Sequence, residues 1–216
     1  MLLNGKTAAI SGAASPRGIG FAAARLFARH GARVAILDLD ADGARRAAAE
    51  LGEGHIGLGC DVADRESCQR AARHVIEAFG RVDALVNNAG VGTAVPATRE
   101  TPEQFREVVD VNLNGCYWMA QACGRVMEPG SSIINTASIN SDNPSPNLLA
   151  YATTKGAIQN FTMGLAQMLA ERGIRANAVA PGPVWTPLIP ASMDPEKVSK
   201  FGENYPMKRP AQPVEL

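Results

Sequence analysis

Short runs suited to strands alternate with stretches of helical spacing along most of the chain. The runs Thr7–Ile10, Val34–Leu37, Ile56–Cys60, Ala84–Asn87, Ser132–Ala137 and Arg175–Ala180 have the length and apolar content of strands. The segments between them predict helices over residues 18–30, 40–51, 64–79, 102–127 and 148–172. Strands that alternate with helices in this way specify an α/β fold, a doubly wound parallel sheet covered on both faces, in a single domain spanning 1–216. Local signals agree. Gly31 follows His30 where the first helix should stop, the position a C′ glycine takes. Thr101-Pro102-Glu103-Gln104 supplies an N-cap threonine, a proline at N1 and a glutamine at N3. The alternation ends after the sixth strand, and eight of the 14 prolines lie from Pro181 onward. Residues 181–213 are therefore expected to form a proline-rich, loop-rich lid over a site at the strand ends.

Composition narrows the partners. The 216 residues are 46% hydrophobic, enough for one well-buried core, and 21 basic side chains balance 21 acidic ones. That balance gives no global field toward nucleic acid or an anionic membrane and favours a small-molecule partner. The beginning, MLLNGKTAAI, lacks the pattern of a secretory signal, and no stretch of 18 apolar residues occurs, so a soluble cytoplasmic protein is expected. Cys60, Cys68, Cys116 and Cys123 form no metal or redox motif and read as buried free thiols. His30, His55 and His74 make no metal constellation, so no metal is expected.

The candidate chemistry begins at SGAASPRGIG, Ser11 to Gly20, which joins the first strand to the first helix. There, backbone N–H groups and the helix dipole can hold a pyrophosphate. Gly18-Ile19-Gly20-Phe21-Ala22-Ala23 fits one glycine register, but Gly18 is far from the strand. A register that starts at Gly12 and leaves Gly18 and Gly20 for close approach and helix packing is preferred. Asp38 ends the second strand, 18 residues after Gly20, where a carboxylate can accept hydrogen bonds from a ribose. Glycines that merely pack helix on strand are the plainer alternative.

Tyr151 and Lys155 stand at i and i+4 on one helix face. Proton transfer by a phenol near neutral pH needs its ionisation eased by about 3–4 kcal/mol. A cation about 4 Å away supplies roughly that at an effective dielectric near 20. A solvated Tyr/Lys pair on a surface helix would carry the same spacing, so the surrounding motifs have to decide.

Those motifs, in order, are the glycine-rich turn, Asp38, Asp61-Val62, Asn87-Asn88-Ala89-Gly90, Asn112 in VDVNLNG, Ser138 in INTASI, Tyr151 with Lys155, and Pro181-Gly182 followed by Thr186. Along nearly its whole length the chain thus resembles the short-chain dehydrogenase/reductase family. The resemblance implies a Rossmann-type fold and an NAD(P)-dependent oxidoreductase that interconverts a secondary alcohol and a ketone. Tyr151 would be the general acid/base, and Lys155 would lower its pKa and bind the nicotinamide ribose. Ser138 would orient the reacting oxygen, and Asn112 would hold a water in a proton relay through Lys155. Gly12, Arg17, Gly18, Ile19 and Gly20 would form the cofactor turn, with Asp38 and Leu39 at the ribose. Asp61 and Val62 would flank the adenine, and Asn88, Ala89 and Gly90 would run along the adenosine side. Pro181, Gly182, Val184 and Thr186 would lie near the nicotinamide. Asn140, Asn143 and the segment from Trp185 to Tyr205 would wall the substrate pocket.

Asp38 should repel a 2′-phosphate, which favours NAD, while Arg17 just before Gly18 is a natural partner for NADP. NAD is the expected cofactor. The resemblance also implies a homodimer or homotetramer through the helices near 102–127 and 148–172. Two departures stand out. Ala13 to Arg17 make the gap between Gly12 and Gly18 wider than the family's usual turn. The sequence also ends at Leu216, before the family's further helix and seventh strand, which reads as truncation. Two other readings remain open: a catalytically impaired nucleotide-binding protein, and an epimerase or dehydratase on the same fold.

Overall fold

The apolar runs become six strands: β1 (Thr7–Ser11), β2 (Arg33–Asp38), β3 (Ile56–Gly59), β4 (Ala84–Asn87), β5 (Ser132–Thr136) and β6 (Arg175–Val179). In the computed structural model, which describes residues 1–192 and 194–216, they form one parallel sheet in the order β3-β2-β1-β4-β5-β6. The expected single α/β domain with a doubly wound sheet is the observed one, with each strand boundary within one residue of its predicted place. The sheet alternates between two cores because successive side chains of a strand point to opposite faces. Ala8, Ile10, Val34 and Ile36 face one core, where α1 (Ile19–Arg29) and α2 (Ala41–Leu51) contribute Phe21, Ala24, Ala44 and Ala47. Ala9, Ala35 and Leu37 face the other, built with α3 (Arg65–Phe79), α5 (Gly115–Gly124) and α6 (Leu149–Ala170).

The helix over 102–127 is not continuous. It consists of α4 (Pro102–Val108), a π-helical stretch Val109–Asn114, and α5, which stops at Gly124. The pattern of apolar positions does not mark the change to i→i+5 hydrogen bonding, but the stretch contains Asn112 and lies beside the site, a common setting for π-bulges. The Thr101/Gln104 capping box forms as expected, and Gly31 adopts a φ of +92° just past α1. After β6 the chain carries two short helices, α7 (Leu188–Ser192) and α8 (Pro195–Ser199). It then returns beside itself: Trp185 N–H donates to the Ala211 carbonyl at 2.8 Å and Ala211 N–H to that of Pro183 at 2.8 Å. No helix among the described residues is long and apolar enough to cross a membrane. Phe105, Tyr117, Met163 and Met168 are exposed on α4, α5 and α6.

The entrances of β1 and β4 are tied by Asp83. Its buried carboxylate accepts the Thr7 N–H at 2.9 Å, the Arg81 guanidinium at 2.6 Å and the Lys6 ammonium at 3.2 Å. Burial alone would push this carboxyl up, but those three donors outweigh it and hold it below the usual value. Removing the carboxylate leaves the buried Thr7 N–H unpaired, so Asp83→Ala is expected to cost about 2–3 kcal/mol by denaturant unfolding at neutral pH. The unfolded chain takes up this proton at higher pH than the folded one. The wild-type advantage is therefore complete above about pH 4 and disappears as pH falls through the lower folded-state value. A difference that does not shrink in acid would show that the carboxylate is not the source.

Candidate active site

The strand order reverses between β1 and β4, and at such a switch the loops after the two strands leave in opposite directions and open a crevice. Gly12 follows β1 directly with φ +63°, and a Cβ there would lie 2.6 Å from the Cα of Ala89. Glycine is therefore required both by conformation and by space. Gly20, in the first turn of α1, packs equally closely, with a Cβ position 2.6 Å from Asn88 Nδ2 and 2.8 Å from the Gly12 carbonyl. The Asn88 amide donates to the carbonyls of Ser11 at 3.1 Å and Gly12 at 2.8 Å. Ser11 Oγ in return accepts the N–H groups of Asn88 and Ala89 at 3.1 and 3.2 Å. Asn88 thus fixes the glycine turn from behind, and Ser11 is a contributor that its plain strand-end position in the sequence did not reveal.

The wide turn resolves simply. Gly18 N–H donates to the Ser15 carbonyl at 2.9 Å, closing a tight turn with Pro16 and Arg17 at its tip. Proline at this position presets the required φ. Pro16 and Arg17 are exposed, while Gly12, Ser15, Gly18 and Ile19 line a cleft of about 400 Å³. Asp38, Leu39, Asp61, Val62, Asn88, Ala89 and Gly90 line the same cleft, which extends to Tyr151, Lys155 and Thr186. Of the residues expected at the cofactor, Arg17 and Gly20 do not line it: the first projects at the turn's tip and the second is buried in the helix–strand contact. Pro181, Gly182 and Val184 line a second cleft instead. Asp38 holds the turn by accepting the Ala14 N–H at 2.9 Å and the Asp40 N–H at 3.2 Å.

The second cleft, about 490 Å³, is walled by Ser138, Asn140, Asn143, Pro144, Leu148, Phe201 and Tyr205, among others. It shares Ile19, Thr136, Tyr151, Thr186 and Leu188 with the first. Tyr151 and Lys155 both rise from α6. The Lys155 ammonium donates to the Thr136 carbonyl at 2.7 Å and lies 5.5 Å from the Tyr151 ring centroid. Burial pushes the Tyr151 phenol up, and a hydrogen bond from Ser138 acts in the opposite direction. The Lys155 ammonium is turned to the strand end, where it stands over the Tyr151 ring. Burial also pulls Lys155 down to about 8. Thr136 was missed in the sequence because its role lies in a backbone carbonyl, which no side-chain motif encodes.

Asn112 is buried in the π-helical stretch. Its Oδ1 accepts the Val91 N–H at 2.8 Å, and its Nδ2 donates to the Val91 carbonyl at 2.9 Å and Thr154 Oγ1 at 3.1 Å. The side chain thereby sets the course of the chain after Gly90, leaving Gly90 beside Lys155 and Gly92 against the Tyr151 ring. All four cysteines are free and buried. Burial raises Cys116 and Cys123 to about 12, while Cys68 Sγ donates to the Val62 carbonyl at 3.4 Å. Among the described residues no group of His, Cys, Asp and Glu is arranged to hold a metal.

A dinucleotide fits this frame on the structure's own terms. The turn brings the start of α1 to the cleft, a carboxylate stands at the end of β2, and Gly90 keeps a side chain off the cleft wall beside Lys155. A parallel sheet with such a crevice has the form of a dinucleotide-binding fold. The sequence profile of the family described as enoyl-(acyl carrier protein) reductase matches residues 12–216. NADPH-dependent aldehyde reductase 1 of Arabidopsis thaliana is 41% identical over 99% of this chain and 77% of that protein. The glucose and ribitol dehydrogenase of Daucus carota is 40% identical with the same coverage. A crystal structure of 3-ketoacyl-(acyl-carrier-protein) reductase from Brucella melitensis, complexed with NADH, superposes with a TM-score of 0.88 at 35% identity, covering 98% of this chain and 87% of that one. The chain belongs to the short-chain dehydrogenase/reductase family, and it is an oxidoreductase of the nucleotide-dependent kind.

Replacing Gly12 by alanine forces a Cβ into the Ala89 backbone and strains a left-handed residue. We expect Gly12→Ala to destabilise the fold by about 1–3 kcal/mol and to weaken dinucleotide binding, read by thermal melting and NADH fluorescence titration. Wild-type melting and binding would contradict the close approach.

Proposed function

We propose that the protein uses NAD, in preference to NADP, to interconvert a small polar secondary alcohol and its carbonyl form. The observation that carries this reading is that the two clefts meet at Tyr151, with Thr136 and Thr186 beside it. Gly12, Ser15, Gly18 and Ile19 would hold the pyrophosphate, Asp38 the adenosine ribose, Asp61 and Val62 the adenine, and Lys155 the nicotinamide ribose. Thr186 and the strand-end loop at Pro181, Gly182 and Val184 would border the nicotinamide. When bound, the cofactor accepts or supplies the hydride, the step no side chain here can perform.

The side chains handle the proton and the geometry. In the reducing direction Ser138 donates a hydrogen bond to the substrate carbonyl oxygen, and Tyr151 transfers its phenolic proton to that oxygen as the alcohol forms. The positive charge of Lys155 favours the resulting phenolate, and a water held near Asn112 returns the proton through Lys155. In the oxidising direction the phenolate takes the hydroxyl proton. Burial of the pair strengthens each of these interactions by lowering the local dielectric.

Asp38 supports NAD, because its carboxylate at the ribose end of the cleft opposes a 2′-phosphate, and Arg17 lies away from the cleft wall. The substrate side mixes Asn140, Asn143 and Ser145 with Leu148, Leu188 and Phe201, which suits a hydroxylated carbonyl compound. The names of the aldehyde reductase and the glucose and ribitol dehydrogenase point the same way. Residues 181–213 would act as the lid, and the exposed apolar residues on α4, α5 and α6 favour a homo-oligomer through that face.

The test is a panel of sugar alcohols, aldoses and short ketones followed by NAD(P)H absorbance. Turnover with kcat/KM higher for NAD than for NADP is expected. Tyr151→Phe should lower kcat by about 10²- to 10⁴-fold while NADH still binds. Full activity of Tyr151→Phe would remove the tyrosine from the mechanism, and a strong NADP preference would overturn the reading of Asp38.

A further inference from the structure

Ser138 lies in the turn just after β5 and Tyr151 in the first turn of α6, and one side chain links that turn to the segment leading into α6. Ser138 Oγ accepts the Asn140 backbone N–H at 3.1 Å and the Asn140 side-chain Nδ2 at 3.4 Å. Asn140 Oδ1 accepts the Ser145 N–H at 2.9 Å, and the Ser145 carbonyl accepts the Leu148 N–H just before α6 at 3.0 Å. The chemistry of the partners fixes how this amide faces. A backbone N–H can only donate, so the atom toward Ser145 is the oxygen and the atom toward Ser138 is the NH₂ group.

A serine hydroxyl has two lone pairs and one hydrogen. With both lone pairs engaged by Asn140, the hydrogen is left for Tyr151 or for an oxygen bound beside it. Ser138 and Tyr151 line the same cleft, so that hydrogen can be turned toward the phenol or a bound oxygen. Lys155, the cation near the Tyr151 ring, is engaged with the Thr136 carbonyl and does not compete for the Ser138 hydroxyl.

We propose that Asn140 is a positioning residue: it holds the Ser138 hydroxyl as a donor toward the reacting oxygen and couples the turn after β5 to the start of α6. In its catalytic consequence this rests on the reading of Ser138 and Tyr151 given above. Asn140→Asp is the discriminating substitution. It is nearly isosteric and keeps an acceptor for the Ser145 N–H, but it presents an oxygen to Ser138 and draws the hydroxyl hydrogen away from Tyr151. A purely structural role would tolerate it.

Two readouts separate the possibilities. In turnover, Asn140→Asp is expected to lower kcat by about 10- to 100-fold with little change in the KM for cofactor, the loss deepening as the introduced carboxyl ionises, and Asn140→Ala to lower it less. Independently of turnover, the ¹³Cζ signal of Tyr151 at fixed neutral pH, assigned by its loss in Tyr151→Phe, reports the hydrogen bond to the phenol oxygen. Ser138→Ala should move this signal, Asn140→Asp should move it to the Ser138→Ala position, and Asn140→Ala should move it the same way. A Tyr151 signal unchanged in both Asn140 variants, or unchanged in Ser138→Ala, overturns the proposal, as does wild-type kcat in Asn140→Asp. Should no carbonyl or alcohol be turned over while the signal moves as stated, the redox reading fails and the positioning role of Asn140 stands.

Discussion

The backbones at the ends of β1 and β4 approach so closely that only glycine can occupy position 12, where a Cβ would sit 2.6 Å from the Cα of Ala89. Everything in the cofactor cleft is referenced to this contact. It places the start of α1 against Asn88, whose amide then holds the Ser11 and Gly12 carbonyls. It also brings the turn near enough to Asp38 for the Ala14 N–H to reach the carboxylate. The sheet supplies the rigidity behind the contact: β1 is paired on both sides, to β2 and β4, and its side chains are buried in both cores. The result is a crevice whose shape is held by its own hydrogen bonds, so little ordering remains to be done when a ligand arrives.

The other half of the site depends on a buried cation. Lys155 is 3% exposed; burial draws its pKa down to about 8, and the Thr136 carbonyl accepts from its ammonium at 2.7 Å. Thr136 ends β5, next to Ala137 and Ser138, and α6 carries both Tyr151 and Lys155. A single strand end and a single helix therefore define the proton-handling groups, and the packing between them sets their geometry. The clefts on either side meet there because the loops after β5 and β6 run together, with the Ile139 N–H donating to the Pro181 carbonyl at 3.1 Å.

The strands were legible because the central ones, β1 and β2, are buried on both faces and all are short runs bounded by turn residues. The caps at Thr101 and Gly31 were legible because capping chemistry is local. Local chemistry also explains the width of the glycine turn, once Pro16 is seen as a turn residue. What could not be read is what depends on main-chain groups or on distant pairing. The π-helical stretch at Val109–Asn114 has ordinary helical spacing, and its change of hydrogen bonding is set by packing. Thr136 and Ser11 act through a carbonyl and a shared hydroxyl. The Thr136 partner of Lys155 also escaped the sequence: i, i+4 spacing puts two side chains on one face but does not decide where a flexible ammonium turns. Asn140 was visible as a pocket residue, and only the Ser145 contact reveals which way its amide points.

A structure of the protein bound to NADH tests the central claim most directly, since that claim is that the crevice at Gly12 and the cleft at Tyr151 form one continuous dinucleotide and substrate site. The account predicts the adenosine ribose at Asp38, the pyrophosphate over the turn from Gly12 to Ile19, and the nicotinamide between Tyr151 and Thr186. A dinucleotide bound in the reverse direction, or away from the glycine turn, would contradict it.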